Sequence, residues 1–326
     1  MLEVMLAILM IGFLVIIVLG ISKQSRYEIK EMFSRQSTGS KIFDIVNIIF
    51  MLLICFIMLY PVWYVLILSF NEGSDAMMGG IYWWVREFTL DNYKIVLSNN
   101  DIFKAFIVTV ARTVIGTTTH VLFTAMIAYS LSKRDLVGRK IWLTMGIITM
   151  FFSGGLIPTF ILFKNMNLLD SFWVYIIPTM FSFYDLIIFQ SFFRGIPDSL
   201  EEAATIDGAG YFYIFRRIIL PLSKPVLATI ALFCGVWHWN DYFMGVIYIT
   251  KNVDLQPIQT YLYRIVAESA SNQAMANMPD GVQKATTTSG SIKLATMVVT
   301  TLPIVLVYPF LQKYFVKGML LGSVKG

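Results

Sequence analysis

Seven stretches of this chain are apolar over roughly 18 residues or more, the length a helix needs to cross the hydrocarbon of a bilayer. They are 4–21, 43–70, 105–131, 141–163, 171–193, 226–250 and 294–312. Charged residues make up 14% of the 326 and hydrophobic residues 57%, against about 25% charged in a soluble globular domain. So few charges cannot cover that much apolar surface in water. The expected fold is all-α, a polytopic transmembrane helical bundle, multi-pass in a cell membrane and solvated by lipid. The second to seventh runs form a six-span block, and the first stands apart.

Orientation follows from Lys and Arg in the short connections. Segment 22–42 carries Lys23, Arg26, Lys30, Arg35 and Lys41; 132–140 carries Lys133, Arg134, Arg139 and Lys140; 194–225 carries Arg194, Arg216, Arg217 and Lys224. The intervening segments 71–101 and 164–170 carry two and one. This alternation puts 22–42, 132–140, 194–225 and the C-terminal tail in the cytoplasm. The first run has Glu3 before it and Lys23 and Arg26 after it, the reverse of a signal peptide's charge order. That order favours a span with its N-terminus outside. A helix lying along the membrane, or a translation start at Met32, stays open. The chain is therefore divided into an N-terminal extension, 1–31, with an extra transmembrane helix, and a transmembrane domain, 32–326.

The net charge of +5 falls in short clusters between apolar runs. No basic stripe with interleaved aromatics is present, so nucleic acid is not an expected partner. Cys55 and Cys234 both lie inside apolar runs, and there are two histidines. Neither a disulfide framework nor a zinc spacing can be built from them, and no metal site or catalytic constellation is expected. The chain holds no Gly-Lys dipeptide, hence no phosphate-binding loop of the G-x-x-x-x-G-K-[ST] type. Energy for any transport has to come from a partner or an ion gradient.

The outer segments carry their own signals. Trp83 and Trp84 suit a membrane interface. Phe88 to Leu97 reads as a short helix started by Thr89 or Asp91, and Gln256 to Glu268 as an amphipathic helix. Thr286 to Ser291 reads as a flexible connection. Tyr60-Pro61 is expected to kink the end of the second run.

The cytoplasmic segment 194–225, RGIPDSLEEAATIDGAGYFYIFRRIILPLSKP, is the most ordered of the connections. Ser199 and Glu202 fit a capping box, placing a helix start near Leu200. Asp207-Gly208 and Gly210 break that helix after about two turns. A second begins near Tyr211, with Tyr211, Ile214, Phe215 and Ile218 at helical spacing, and Pro221 and Pro225 end it. Glu202 offers a charge to a partner, Ala203 and Ala204 permit close approach, and Gly208 allows a sharp turn. Two short helices held at an angle against the inner membrane face suit docking of a partner; an interfacial helix that seals the bundle accounts for the same pattern.

Within 226–250, Trp237, Trp239, Asn240, Asp241 and Tyr242 are the candidates for a substrate path. Flat aromatic faces stack on the C–H patches of sugars, and Asn and Asp take hydroxyl hydrogen bonds. Interfacial aromatics with Asn240-Asp241 holding a helix break are the plainer alternative. Asp241 inside a span is costly and must face water, the bundle interior or a membrane surface. Arg112 is expected to snorkel or pair between helices, and His120, behind Thr117-Thr118-Thr119, to make an interhelical contact.

The cytoplasmic segment resembles the EAA loop of ABC importer permeases: Glu202-Ala203-Ala204, three residues, Gly208, nine residues, then Ile218-x-Leu220-Pro221. From about residue 40 onward the chain resembles the carbohydrate-uptake permeases of the maltose-transporter type, in particular the LplC-like branch. The carriers are IPDSLEEAATIDGA, RIILPLSKP, WHWNDYF and the tail FVKGMLLGSVKG. This resemblance implies a six-span type I importer core that is not itself an enzyme, with the extra N-terminal span outside the family pattern. It implies ATPase coupling through Glu202, Ala203, Ala204, Asp207, Gly208, Ile218, Leu220 and Pro221. It also implies a second permease subunit, two ATPase subunits that bind ATP and Mg, an extracellular substrate-binding lipoprotein, and a sugar or oligosaccharide as substrate. An ion-gradient-driven secondary transporter is the alternative; it would rest on Asp241 and Asp185.

Overall fold

The structure, a computed structural model, describes residues 37–276, 290–303 and 305–306. The run 4–21, the extension 1–31, the greater part of the 286–291 connection and the end of the tail lie outside the described residues. The chain divides into two compact units, one ending at Tyr64 and the other beginning at Val65.

Among the described residues the structure is helical. The helices are α1 (Thr38–Ser69), α2 (Gly73–Met77), α3 (Asp91–Ser98), α4 (Asn100–Ser132), α5 (Arg139–Phe151), α6 (Leu156–Asn165), α7 (Phe183–Phe193), α8 (Asp198–Ile206), α9 (Tyr211–Ile214), α10 (Leu220–Leu222), α11 (Lys224–Asn240), α12 (Phe243–Tyr248) and α13 (Ile258–Ala276). A final helical stretch occupies 290–303 and 305–306. Pro61 lies inside α1, which continues to Ser69.

Only α1 and α4, among the described helices, are long and apolar enough to cross a bilayer unbroken. Three runs expected as continuous spans are interrupted. Run 141–163 is α5 and α6, bent by 115°. The bend sits at Gly154-Gly155, where Gly155 takes φ +83°, a conformation that a residue with Cβ resists. Run 171–193 is a pair of 3-10 turns, Phe172–Tyr175 and Ile177–Thr179, bent by 47° from α7. Run 226–250 is α11, which stops at Asn240, then α12. Hydropathy averages over a window and cannot register a break of two to four residues.

The sequence of α4 explains why it is the post around which the second unit is built. Its buried positions include Ala105, Thr109, Arg112, Gly116, His120, Thr124 and Ala128, spaced three or four apart along one face. These residues are small or polar. Many of its large apolar residues, among them Phe103, Ile107, Val114 and Leu122, are exposed, while others such as Val108, Val121 and Tyr129 turn inward. Lipid tails are as apolar as leucine, so in a bilayer small and polar residues make the helix contacts. Gly116 shows the consequence: a Cβ there would overlap the His238 ring of α11.

Three apolar clusters surround this post. The inner one joins Val121, Ala125 and Tyr129 of α4 to Leu186, Phe189 and Phe193 of α7, to Ile214, Phe215 and Ile219, and to Ile230 of α11. A second joins Val108 to Phe163, Tyr175, Met244 and Tyr248, and a third joins Ile102 and Ala105 to Val96, Ile258 and Ala295. The expected short helix after Phe88 is α3, and the Thr89 hydroxyl accepts from the Asp91 amide at 3.1 Å. The expected amphipathic helix is α13, beginning two residues later than read. Gly290 and Ser291, read as part of a flexible connection, are helical.

Candidate functional site

The segment 194–225 forms two short helices separated by a turn, as expected, with different caps. Helix α8 begins at Asp198 after Pro197, which makes no side-chain cap bond. Ser199 is therefore already inside the first turn, and Glu202 is too far along to reach back, so the expected capping box does not form. Asp198 and Glu201 in the first turn supply the negative charge that favours a helix N-terminus. The other end matches the reading: the Gly208 amide donates to the Thr205 carbonyl at 3.0 Å and the Ala209 amide to that of Ala204 at 2.9 Å, with Gly208 at φ +82°. This is a Schellman closure, and glycine is the residue that takes its left-handed position without strain.

The motif residues divide between two faces. Glu202, Ala203, Asp207 and Gly208 are exposed. Ala204, Ile218 and Leu220 pack against the inner cluster of their own bundle, and Pro221 is exposed. Ile206 is 87% exposed, and Tyr211, Phe212 and Tyr213 are exposed beside it. After α9 the chain passes through a π turn, Phe215–Ile219, and α10, and the stretch Tyr211–Leu222 meets α11 at 82°. Pro225 stands in the first turn of α11, where its missing N–H costs nothing.

Glu201, which the sequence reading passed over, fastens α8 to the C-terminal end of α4. Its carboxylate forms an ion pair with Lys133 Nζ and accepts from the Tyr129 hydroxyl at 3.2 Å. Lys133 also lies 4.3 Å from the centroid of the Tyr129 ring. Burial pushes the Lys133 ammonium below the usual lysine range, opposed by Asp135 and Asp198. Nothing in the run Glu201-Glu202 distinguishes the inward carboxylate from the outward one until the start of α8 is known.

In the interior, two basic side chains of α4 hold the two breaks nearest to it. Arg112, 0% exposed, donates from Nη2 to Asp241 Oδ2 at 2.8 Å and from Nη1 to the Asp241 carbonyl at 3.1 Å. Its guanidinium also lies 4.3 Å from the centroid of the Tyr175 ring. Asp241 is the C-cap of α11, and the next carbonyl, Tyr242, accepts from the Thr260 hydroxyl at 2.9 Å. The broken backbone is thus satisfied by protein groups, as a hydrocarbon surrounding demands. His120 does the same at the other break. Its Nδ1 faces the Thr179 carbonyl at 2.7 Å and its Nε2 the Asp185 carboxyl at 2.9 Å. A carbonyl can only accept, so Nδ1 carries a proton. The expected interhelical roles of Arg112 and His120 are those observed, and Asp241 faces the bundle interior. Two charges in separate apolar runs, each too costly alone, were a signal that they pair.

The other substrate-path candidates are placed unequally. Trp237 is 45% and Tyr242 44% exposed, the latter stacked on Tyr263 at 4.9 Å. Trp239 is half-buried, edge-on to Phe106, and its indole N–H donates to the Thr300 carbonyl at 3.2 Å. Asn240 is exposed and donates to the Val236 carbonyl at 2.9 Å. His238 is fully buried, and neither ring nitrogen has a hydrogen-bond partner among the described residues. The helix break at Asn240-Asp241 is present, with Trp237 before it and Tyr242 after it exposed.

Comparison with known proteins adds the following. The profile of a family described as "Binding-protein-dependent transport system inner membrane component" matches residues 16–321. The chain is 42% identical over 288 residues to the polygalacturonan/rhamnogalacturonan transport system permease protein YtcP of Bacillus subtilis (strain 168), covering 88% of this chain and 99% of that protein. It is 41% identical to Protein LplC of the same organism, covering 88% and 96%. Among solved structures, a chain from a bacterial ABC transporter involved in the import of the acidic polysaccharide alginate superposes with a TM-score of 0.77 at 29% identity, covering 86% of this chain and 99% of that one.

Proposed function

The chain belongs to the inner membrane components of binding-protein-dependent transport systems, and from that premise we propose that it is one of two permease subunits that move a sugar or oligosaccharide inward by alternating access. It is an ABC-importer permease, a multi-pass membrane protein and not an enzyme. The relatives named for polygalacturonan, rhamnogalacturonan and alginate support the saccharide class. Two ATPase subunits bind ATP and Mg and hydrolyse the nucleotide, and an extracellular lipoprotein delivers the substrate. The C-terminus lies in the cytoplasm, on the side of the basic connections.

One observation carries the coupling role. Helix α8 ends in a Schellman closure at Gly208 and presents Glu202, Ala203 and Asp207 outward, with the exposed Ile206, Tyr211 and Phe212 beside them. A short rigid helix with a charged and an apolar side suits a cleft on a nucleotide-driven partner. Closure of the ATPase dimer moves α8, and α8 moves the spans.

The test is purification of the chain from its own cells in mild detergent, followed by reconstitution of the complex into proteoliposomes. The expected complex holds a second permease, an ATPase and a binding lipoprotein. Uptake is expected to need ATP on the ATPase side and to persist when ionophores dissipate ion gradients. A chain purified alone, with uptake abolished by ionophores, would falsify the reading and make Asp241 the residue to examine.

A further inference from the structure

Helix α8 can transmit a force only if something ties it to the bundle. Its C-terminal side is joined to the next element by the Gly208–Gly210 turn, which has no Cβ at either end. Its N-terminal side is joined by the group already described: Glu201, Lys133 and Tyr129. The pieces differ in rigidity. Lys133 is the C-cap of α4, and Tyr129, one turn earlier, is buried. The Tyr129 ring packs on Phe215 at 5.4 Å and edge-on to Phe193 at 6.4 Å. Its hydroxyl and the Lys133 ammonium meet on the same Glu201 oxygen. The Lys133 and Glu201 side chains are 21% and 22% exposed, so water and salt screen the pair less than a surface ion pair. The Glu201 carbonyl also accepts from the Thr205 hydroxyl at 2.8 Å, within α8. The far part of α4 carries His120 and Arg112, each seated on the break of a different span.

We propose that Glu201 is the positioning residue that links α8 to α4, through its joint hold on Lys133 and Tyr129. On this reading, which rests on the coupling role of α8, a displacement of α8 is passed to α4. From α4 it reaches both broken spans, through His120 at Thr179–Asp185 and through Arg112 at Asp241. Glu202, one residue on, faces the partner; Glu201 faces the bundle. The two carboxylates do separate jobs.

The experiment uses the complete complex in proteoliposomes and measures the ratio of substrate transported to ATP hydrolysed. In Glu201→Ala the ratio is expected to fall about tenfold, the scale of a coupling free energy of one to two kcal/mol, while the ATPase still co-purifies. The charge swap, Glu201→Lys with Lys133→Glu, is expected to recover at least about half of the loss, because it restores the ion pair. Glu201→Gln, which keeps the Tyr129 hydrogen bond and the shape, serves if the alanine variant does not assemble, and is expected to lower the ratio in the same direction. An unchanged ratio in both single variants, or a swap no better than Lys133→Glu alone, overturns the proposal. Gly208→Val run alongside separates the two levels. If it abolishes uptake and Glu201→Ala does not, the link through Glu201 is wrong and the coupling role of α8 stands. If neither variant affects uptake, the coupling role itself fails and this proposal with it.

Discussion

Arg112 and Asp241 are held by each other, and the two substitutions that separate them have different costs. Removing the guanidinium alone leaves a nearly buried carboxylate, its side chain 9% exposed, without its cation. Arg112→Met is therefore expected to destabilise the purified protein by about 3–5 kcal/mol. Adding Asp241→Asn should return a large part of that, since the amide still accepts through its oxygen and carries no charge. Thermal unfolding in detergent checks both, and equal losses in the single and double variants would argue against the pairing. Asp170, in the loop before the first 3-10 turn, is a residue of the opposite kind, half-buried and held by backbone amides. Its Oδ1 accepts from the amides of Lys251, Thr250 and Asn252 at 2.6, 2.7 and 3.3 Å. The Lys251 amide is the main cause that holds the carboxyl below its ordinary 3.8, with slight burial opposing it. A depressed folded-state pKa stabilises above the unfolded value and is lost as pH falls through the folded one. Asp170→Asn is thus expected to lower the thermal midpoint at pH 7, and the gap to the parent protein to close below about pH 4. A gap independent of pH would mean that shape, and not charge, holds this corner.

At the scale of elements, breaks carry as much information as helices. Each break on the α4 face is supplied with partners by α4 itself: Arg112 for the end of α11, and His120 and Thr124 for the carbonyls of Thr179 and Met180. The turn after α8 is of another type, closed by its own backbone, and Gly208 is the residue that permits it. Gly208→Val places a β-branched side chain at φ +82°, which is strained even though the space around it is open. Uptake is expected to fall by more than about tenfold while the protein stays in the membrane, since local strain of 1–3 kcal/mol redirects α8 without unfolding a bundle this size. Immunodetection in membranes and an uptake assay on the same cells check it; wild-type uptake would contradict the lever.

At the scale of the whole molecule, hydropathy and charge order were sufficient for the class. Seven apolar runs, few charges and alternating Lys/Arg clusters read directly as a polytopic helical protein, because the bilayer is a uniform solvent and its demand is legible residue by residue. The spacing of the 202–221 motif led to the family for the same reason: it is local. The α8 start at Asp198 was misplaced by two residues, since Ser199 offered a cap that Pro197 pre-empted by fixing its own backbone. What the chain alone determined was the apolar character of its runs, the two short helices of 194–225 and the left-handed turn at Gly208, all set by interactions within a few residues. Only the tertiary structure decided that three runs are broken, that Arg112 meets Asp241 across 129 residues, that His120 meets Asp185, and that Glu201 rather than Glu202 turns inward to Lys133. Those pairings depend on which faces of α4, α7, α8 and α11 come together, and the side chain that completes each buried charge lies on another element.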